Sequence, residues 1–243
     1  MDINSGKNRL VVYPLCEYAV TVEFGSTADE QTLARINIFD ALLKKNAFPG
    51  FYQTVPAYTT LSVFFEADVV ARQRDMHGNN CFEKVRDYLL QLNTEEKGTA
   101  LSAAGEPILI PVYYGDEHGP DLEYVAKAKS LTPSAIIKLH SEATYKVFMI
   151  GFIPGFAYLG ELNPLLAIPR KGTPVKVQPG AVGITGTQTC IYPLETPGGW
   201  HIIGQTPVRM FDPNRPRPAL LKAGDLVRFE PISLADFEKY KRG

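Results

Sequence analysis

His140, Arg170, Gln188 and Gln205 fall in or beside a stretch of the chain where glycine or proline marks nearly every turn point. The stretch reads MIGFIPGFAYLG from Met149, IPRKGTPVKVQPGAVGITGTQTCIYPLETPGGWHIIGQTP from Ile168, and RMFDP from Arg209. A plain core strand needs no such punctuation. Tight turns, positive φ angles and close approach of the backbone to another molecule do need it. Aromatic, amide and hydroxyl side chains are interleaved with these turns. That combination describes a surface sculpted from loops on a β scaffold, where binding and catalytic groups concentrate.

Each candidate has a functional and a structural reading. His140 ends a predicted helix, where an imidazole either interacts with the helix dipole or serves as an acid or base. Phe156 and Tyr158 flank a turn and are candidates for ligand contact, whereas Phe152 reads as a core aromatic. Arg170 can hold a carboxylate or phosphate, while Lys171 beside it reads as a solvated turn. The segments around Gly180 and around Gly186 to Thr189 offer backbone N–H groups and neutral hydrogen bonds. Such groups bind an amide or an anion without any motif, although Thr187 and Thr189 also fit ordinary hairpin chemistry. Trp200, after Gly198 and Gly199, is either a stacking platform or a core anchor. Glu195 is a lone carboxylate.

The common catalytic signatures are missing. There is no G-x-x-x-x-G-K-[ST], no G-x-G-x-x-G between a strand and a helix, and no G-x-S-x-G elbow. No amidase-type Ser/Gly segment with a lysine is present. His77, His118, His140 and His201 are not at metal-ligand spacing from cysteines or carboxylates, so no metal is expected. A formal net charge of -1 supplies no field that would draw nucleic acid or an anionic membrane. The cysteines, Cys16, Cys81 and Cys190, are odd in number and far apart, which fits a reducing cytosol. MDINSGKNRL lacks a signal-peptide core, and no run approaches the roughly 18 apolar residues of a membrane span. The expected location is the cytoplasm.

Two sets of elements would have to carry these residues. Residues 1–98 read as an α+β domain. Tyr18 to Phe24 alternates as a strand does. Ser26 and Thr27 before Asp29 and Glu30 predict a helix start, followed by Leu33, Ile36 and Leu43 at helical spacing. Phe51 to Val55 and Thr60 to Glu66 predict a strand pair, and Phe82, Val85, Leu89 and Leu92 a second helix. The order βαββα, closed by a strand near Ile108, suits a ferredoxin-like split βαβ. Asn93 to Glu106 reads as a linker. Residues 106–243 read as a mainly-β domain with a C-terminal helix. It opens with a strand over Pro107 to Tyr114. Helices follow, capped by Asp121 and by Thr132 with Pro133 at the first helical position. Tyr145 to Phe152 is a strand, and many short strands with Gly/Pro turns then predict a barrel or sandwich. Leu234 to Lys241 predicts the final helix.

An ordered string of segments carries a family resemblance. It comprises PVYYGDEHGPDLEYVA, Leu139-His140, MIGFIPGFAYLG, PGAVGITGTQTCIYPLETPGGWHIIGQTP, Phe211-Asp212-Pro213 and AGDLVRF. Here the chain resembles the Kip inhibitor family, also called the allophanate hydrolase subunit 1 family, whose better-defined members are B subunits of prokaryotic 5-oxoprolinase. The resemblance implies a cyclophilin-like β-barrel after the α+β domain. It implies ATP-dependent opening of 5-oxoproline to glutamate. The implied partners are a 5-oxoprolinase C-type or allophanate hydrolase subunit 2-type chain, and an A-type chain of the lactam-utilisation kind. Under this reading His140 and Gln188 are the catalytic candidates. Phe156, Tyr158, Arg170, Gly180, Gly186, Gly199, Trp200 and Gln205 are the substrate-binding ones. Inhibition of a sensor histidine kinase and a role in allophanate hydrolysis are the alternatives within the family. The chain departs from the family pattern at Asp116, Ala157, Cys190 and Gln205. Gln205 stands where an arginine is common, which removes a fixed charge.

Overall fold

The computed structural model describes residues 10–27, 29–94 and 105–242. The chain divides into two compact units, with the boundary between residues 103 and 104. Most of the expected linker lies outside the described residues.

The first unit contains β1 (Val11–Cys16), β2 (Ala19–Glu23), α1 (Glu30–Lys45), β3 (Phe51–Ala57), β4 (Thr60–Phe65), α2 (Ala67–Arg72) and α3 (Cys81–Thr94). Its sheet runs β1-β2-β4-β3 and is antiparallel throughout. Val20, Val22, Leu61 and Val63 supply the buried face of the sheet. Ile36, Phe39 and Leu43 of α1 and Val85, Leu89 and Leu92 of α3 cover it. The spacing of these residues is what makes each helix amphipathic. Asp29 is the cap of α1, accepting from the Thr32 amide at 2.8 Å, so the helix starts later than Ser26 and Thr27 suggest.

β4 lies between β2 and β3, which α1 connects, as a split βαβ requires. The fourth strand is a correction to the sequence expectation. It is β1, which precedes the motif, and not a strand near Ile108. β1 reaches β2 through the turn at Glu17-Tyr18, so closing that pair costs little loop entropy. Pro14 is tolerated because β1 is an edge strand.

The second unit is a closed barrel with added helices. Its strands are β5 (Ile108–Tyr114), β6 (Thr144–Ile150), β7 (Ala157–Gly160), β9 (Ala181–Thr185), β10 (Gln188–Ile191), β12 (His201–Gln205) and β13 (Leu226–Pro231). They close in the order β10-β7-β6-β13-β5-β12-β9. The β13–β5 pair is parallel, with Phe229 opposite Ile110. β8 (Val175–Val177) and β11 (Thr196–Gly198) form a separate two-stranded ribbon. The helices are α4 (Leu122–Lys129), α5 (Pro133–Ser141) and α6 (Leu234–Arg242). Thr132 caps α5 by accepting from the Ala135 amide at 3.2 Å, with Pro133 at its first turn.

Alternate residues of each strand fill the barrel. Ile110, Val112, Tyr145, Val147, Leu159, Val182, Ile184, Ile203, Val227 and Phe229 belong to one buried cluster. Residues of the other parity point outward, because successive side chains of a strand face opposite ways. Along β9, β10 and β12 the outward residues Ala181, Cys190 and Ile202 are also buried. They form a second apolar patch with Tyr192, Trp200, Phe156 and Val177 of the ribbon. Among the described residues no helix is long and apolar enough to cross a membrane.

Candidate functional site

The outer patch opens into a cavity of about 340 Å³, large enough for a small ligand. Phe156 is its hub. Its ring centroid lies 4.7 Å from Tyr158, 4.9 Å from Tyr192, 5.4 Å from Phe152 and 6.0 Å from Trp200. The contacts with Phe152, Tyr192 and Trp200 are edge-on, which suits the quadrupoles of the rings. Two close approaches depend on glycine. A Cβ at Gly183 would meet Trp200, Ile202 and Cys190 at 3.1, 3.2 and 3.3 Å. A Cβ at Gly198 would lie 2.5 Å from the Tyr192 hydroxyl.

The loop before β7 sets the aromatic wall. The Gly151 amide donates to the Phe156 carbonyl at 3.1 Å, and the Phe156 amide donates to Ile153 at 3.0 Å. Between them Phe152 is held at φ 71°, a conformation that costs a non-glycine residue energy. It turns the Phe152 ring outward, 62% exposed, onto the cavity.

The opposite rim is the segment Ile168–Lys171, fastened at each residue but Arg170. The Ile168 carbonyl accepts from the Gly186 amide at 2.6 Å and the Thr185 hydroxyl at 3.3 Å. The Pro169 carbonyl accepts from Nε2 of His201 at 2.9 Å. The Lys171 amide donates to the Gly199 carbonyl at 2.8 Å, and its ammonium pairs with Asp121 at 2.5 Å. Asp121 also accepts from the Ile202 amide at 2.6 Å. Lys171 is therefore neutralised, whereas Arg170 has no ion-pair partner among the described residues and faces the cavity. The cavity combines apolar ring faces with one uncompensated guanidinium. Asp121→Asn should keep the bond to Ile202 but free Lys171, lowering stability by about 1–2 kcal/mol in urea unfolding. Asp121→Ala should cost about 3 kcal/mol, because the Ile202 amide also loses its acceptor. Equal losses for the two variants would refute this division of roles.

Phe156, Tyr158, Arg170, Gly199 and Trp200 come together in this cavity. The other expected site residues lie elsewhere. His140 is a correction: it is 0% exposed, among barrel residues, and does not line this cavity. Its Nδ1 lies 2.8 Å from the Tyr114 hydroxyl and its Nε2 lies 2.9 Å from Thr189 Oγ1. Thr189 donates onward to the Gly183 carbonyl at 3.1 Å. Thr189 therefore accepts from His140 Nε2–H, and Nδ1 accepts from Tyr114, which makes the imidazole neutral. Burial accordingly pushes its pKa down to about 3. Gln188 starts β10 opposite Thr185 and does not line the cavity. The Gly180 and Gly186 amides are also committed, to the Tyr192 carbonyl at 2.7 Å and to Ile168. Gln205 bridges His118 at 2.5 Å and the Pro179 carbonyl at 2.6 Å.

Four residues join the site that the sequence reading placed otherwise or passed over. Phe152 is a rim residue and not core. Lys171 and Asp121 are a partly buried pair, and Asp121 makes no side-chain cap on α4. Tyr192 forms the back wall. Among the described residues no group of three or more His, Cys, Asp or Glu could hold a metal. A more open concavity of about 500 Å³ in the first unit is lined by Arg72, Arg74 and Lys84. There the Lys84 ammonium is committed to the Ala71 and Gln73 carbonyls at 2.9 and 2.7 Å.

Comparison with known proteins gives a concordant result. Residues 10–221 match the family described as carboxyltransferase domain, subdomain C and D. The chain is 38% identical over 238 residues to the 5-oxoprolinase B subunit of Bacillus subtilis (strain 168), covering 96% of this chain and 97% of that protein. It is 54% identical over 126 residues to the 5-oxoprolinase B subunit of Haemophilus influenzae, covering 51% of this chain and 59% of the relative. Among solved structures, TTHA0988 superposes with a TM-score of 0.74 at 33% identity, covering 88% of this chain and 40% of that one. The chain belongs to the carboxyltransferase subdomain C and D family, the family of allophanate hydrolase subunit 1 and the 5-oxoprolinase B subunits.

Proposed function

We propose that this chain is the B-type subunit of a cytoplasmic, ATP-dependent 5-oxoprolinase that hydrolyses 5-oxoproline to L-glutamate. Its partners would be a 5-oxoprolinase C-type or allophanate hydrolase subunit 2-type chain and an A-type chain of the lactam-utilisation kind. We read its first unit as ferredoxin-like, from the β2-α1-β3 crossover around β4, and its barrel as cyclophilin-like. The B. subtilis relative, matched along nearly its whole length, supports the reading. The observation that carries it to a site is the pairing of apolar ring faces with one free guanidinium. 5-Oxoproline is a small planar lactam with a single carboxylate. Its ring suits the aromatic walls, of which Phe152 and Tyr158 are the more exposed rings, and its carboxylate suits the fork of Arg170.

Lactam hydrolysis is slow because resonance stabilises the amide. ATP supplies activation of the carbonyl in the assembled enzyme. The cavity does not fit a nucleotide triphosphate, since Lys171 is already neutralised and Arg170 alone would face several negative charges. The tasks left to this chain are to bind the lactam, fix its orientation and exclude water. Trp200 is the sole tryptophan and lines the cavity. Adding 5-oxoproline should therefore change the emission of Trp200 saturably. A flat titration, with or without the partners' contribution subtracted, would remove the cavity as the substrate site. Glutamate release from 5-oxoproline and ATP should need all three chains, tested by omitting each in turn. Full activity without this chain would end the 5-oxoprolinase reading.

A further inference from the structure

Tyr192 is the most deeply placed polar side chain of the aromatic cavity, and none of the tasks above employs its hydroxyl. It follows β10 directly, on the outward face of the strand, and is 1% exposed. The Phe156 ring stands edge-on to it at 4.9 Å, with an interplanar angle of 86°. The ribbon passes over the hydroxyl only because residue 198 has no side chain. The hydroxyl lies on a cavity-lining residue, beside Gly198 and Trp200, which line the same cavity.

Burial raises the pKa of the phenol above its ordinary value, and the positive charge of Arg170 offsets this only in part. Tyr192 is thus a neutral donor across the physiological range. Arg170 sits on the rim and Tyr192 on the back wall of the same cavity. A ligand whose carboxylate engages the rim presents its ring, and the polar group on that ring, to the back wall.

We propose that the Tyr192 hydroxyl donates a hydrogen bond to the lactam carbonyl oxygen, and that this bond makes the site selective for a cyclic amide over a carbocycle of the same size. The inference rests on the reading of the cavity as the 5-oxoproline site. A buried donor left without its acceptor penalises the wrong ligand, whereas ring packing alone cannot tell the two apart. Tyr192 would also polarise the carbonyl that is to be activated.

The test compares 5-oxoproline with cyclopentanecarboxylate, which keeps the five-membered ring and the carboxylate but lacks the amide. Affinities are measured by calorimetry on the complex of this chain with its partners, without ATP. The wild type should prefer 5-oxoproline by roughly tenfold, the worth of one buried hydrogen bond. Tyr192→Phe keeps the ring and should reduce that ratio to near one, by weakening 5-oxoproline and by relieving the penalty on cyclopentanecarboxylate. Incorporation of 3-fluorotyrosine at position 192 keeps the hydroxyl, makes it a stronger donor, and should widen the ratio. This second measurement decides the matter should Tyr192→Phe prove unstable. A preference retained in full by Tyr192→Phe, or unmoved by fluorination, overturns the inference and leaves the cavity as the substrate site. A wild-type complex that binds both ligands equally overturns the inference alone, and one that does not bind 5-oxoproline sinks both together.

Discussion

Arg170→Ala is expected to raise the KM for 5-oxoproline by roughly tenfold to a hundredfold, the range for losing hydrogen bonds between a charged group and its ligand. Arg170 is the cavity-lining cation left unpaired, because Asp121 takes the charge of Lys171. The carboxylate of 5-oxoproline is remote from the bond that breaks. Loss of its partner should therefore appear mainly in KM and less in kcat. Arg170→Lys should recover part of the loss, since an ammonium supplies charge but not the two-pronged fork. Folding stability should be unaffected, because the side chain is exposed and the rim is fastened through Ile168, Pro169 and Lys171. The wild-type KM should also rise with salt, as expected for an exposed cation. An Arg170→Ala enzyme with an unchanged KM would place the carboxylate elsewhere. Asp121→Asn is the natural companion: freeing Lys171 adds a second cation to the rim, so carboxylate affinity should rise where Arg170→Ala lowers it.

The candidate cavity was legible in the sequence where residue type and backbone constraint coincide. Phe156, Tyr158, Arg170, Gly199 and Trp200 each flank a glycine or proline turn, and such turns built the cavity. Phe152 sits in the same loop, yet its outward pose depends on a positive φ that nothing in its side chain favours. Tyr192 needed knowledge of strand register. It faces outward only because it shares parity with Cys190, and one step of slip would place it inside the barrel. The pairing of Asp121 with Lys171 joins a helix start to a distant rim, a contact that only barrel closure creates. Gly180 and Gly186 were sound as turn residues, with φ of 81° and 53°. Their amides were poor candidates for ligand binding because the same turns commit them to backbone carbonyls. The first unit shows the same limit. The periodicity of its two main helices could be read locally, but the edge strand β1 is mostly exposed and interrupted by Pro14, so it lacks the apolar alternation that marks a half-buried strand.

His140 is the residue for which the two readings differ most, and its environment predicts a measurable acid sensitivity. A histidine at a helix C-terminus looks the same in sequence whether solvent or a barrel lies beyond it. Here the ring stacks on Phe229 at 4.5 Å, and the His140 carbonyl accepts from the Tyr145 hydroxyl at 2.9 Å. Its folded pKa of about 3 lies below the ordinary 6.5 that applies once the chain unfolds. Between those values the unfolded state binds one proton that the native state refuses. Stability is therefore intact above pH 6.5 and falls by about 1.4 kcal/mol for each pH unit below it, until pH nears 3. His140→Leu removes this slope, although it leaves the Tyr114 hydroxyl without its acceptor and should start about 2–4 kcal/mol less stable at neutral pH. Urea unfolding followed by Trp200 emission, at pH 7.5 and pH 5, separates the two effects. The wild type should lose about 2 kcal/mol more than the variant over that interval. Equal losses would mean that the imidazole titrates in the folded barrel, and that His140 has a route to solvent which would restore it as a candidate acid or base.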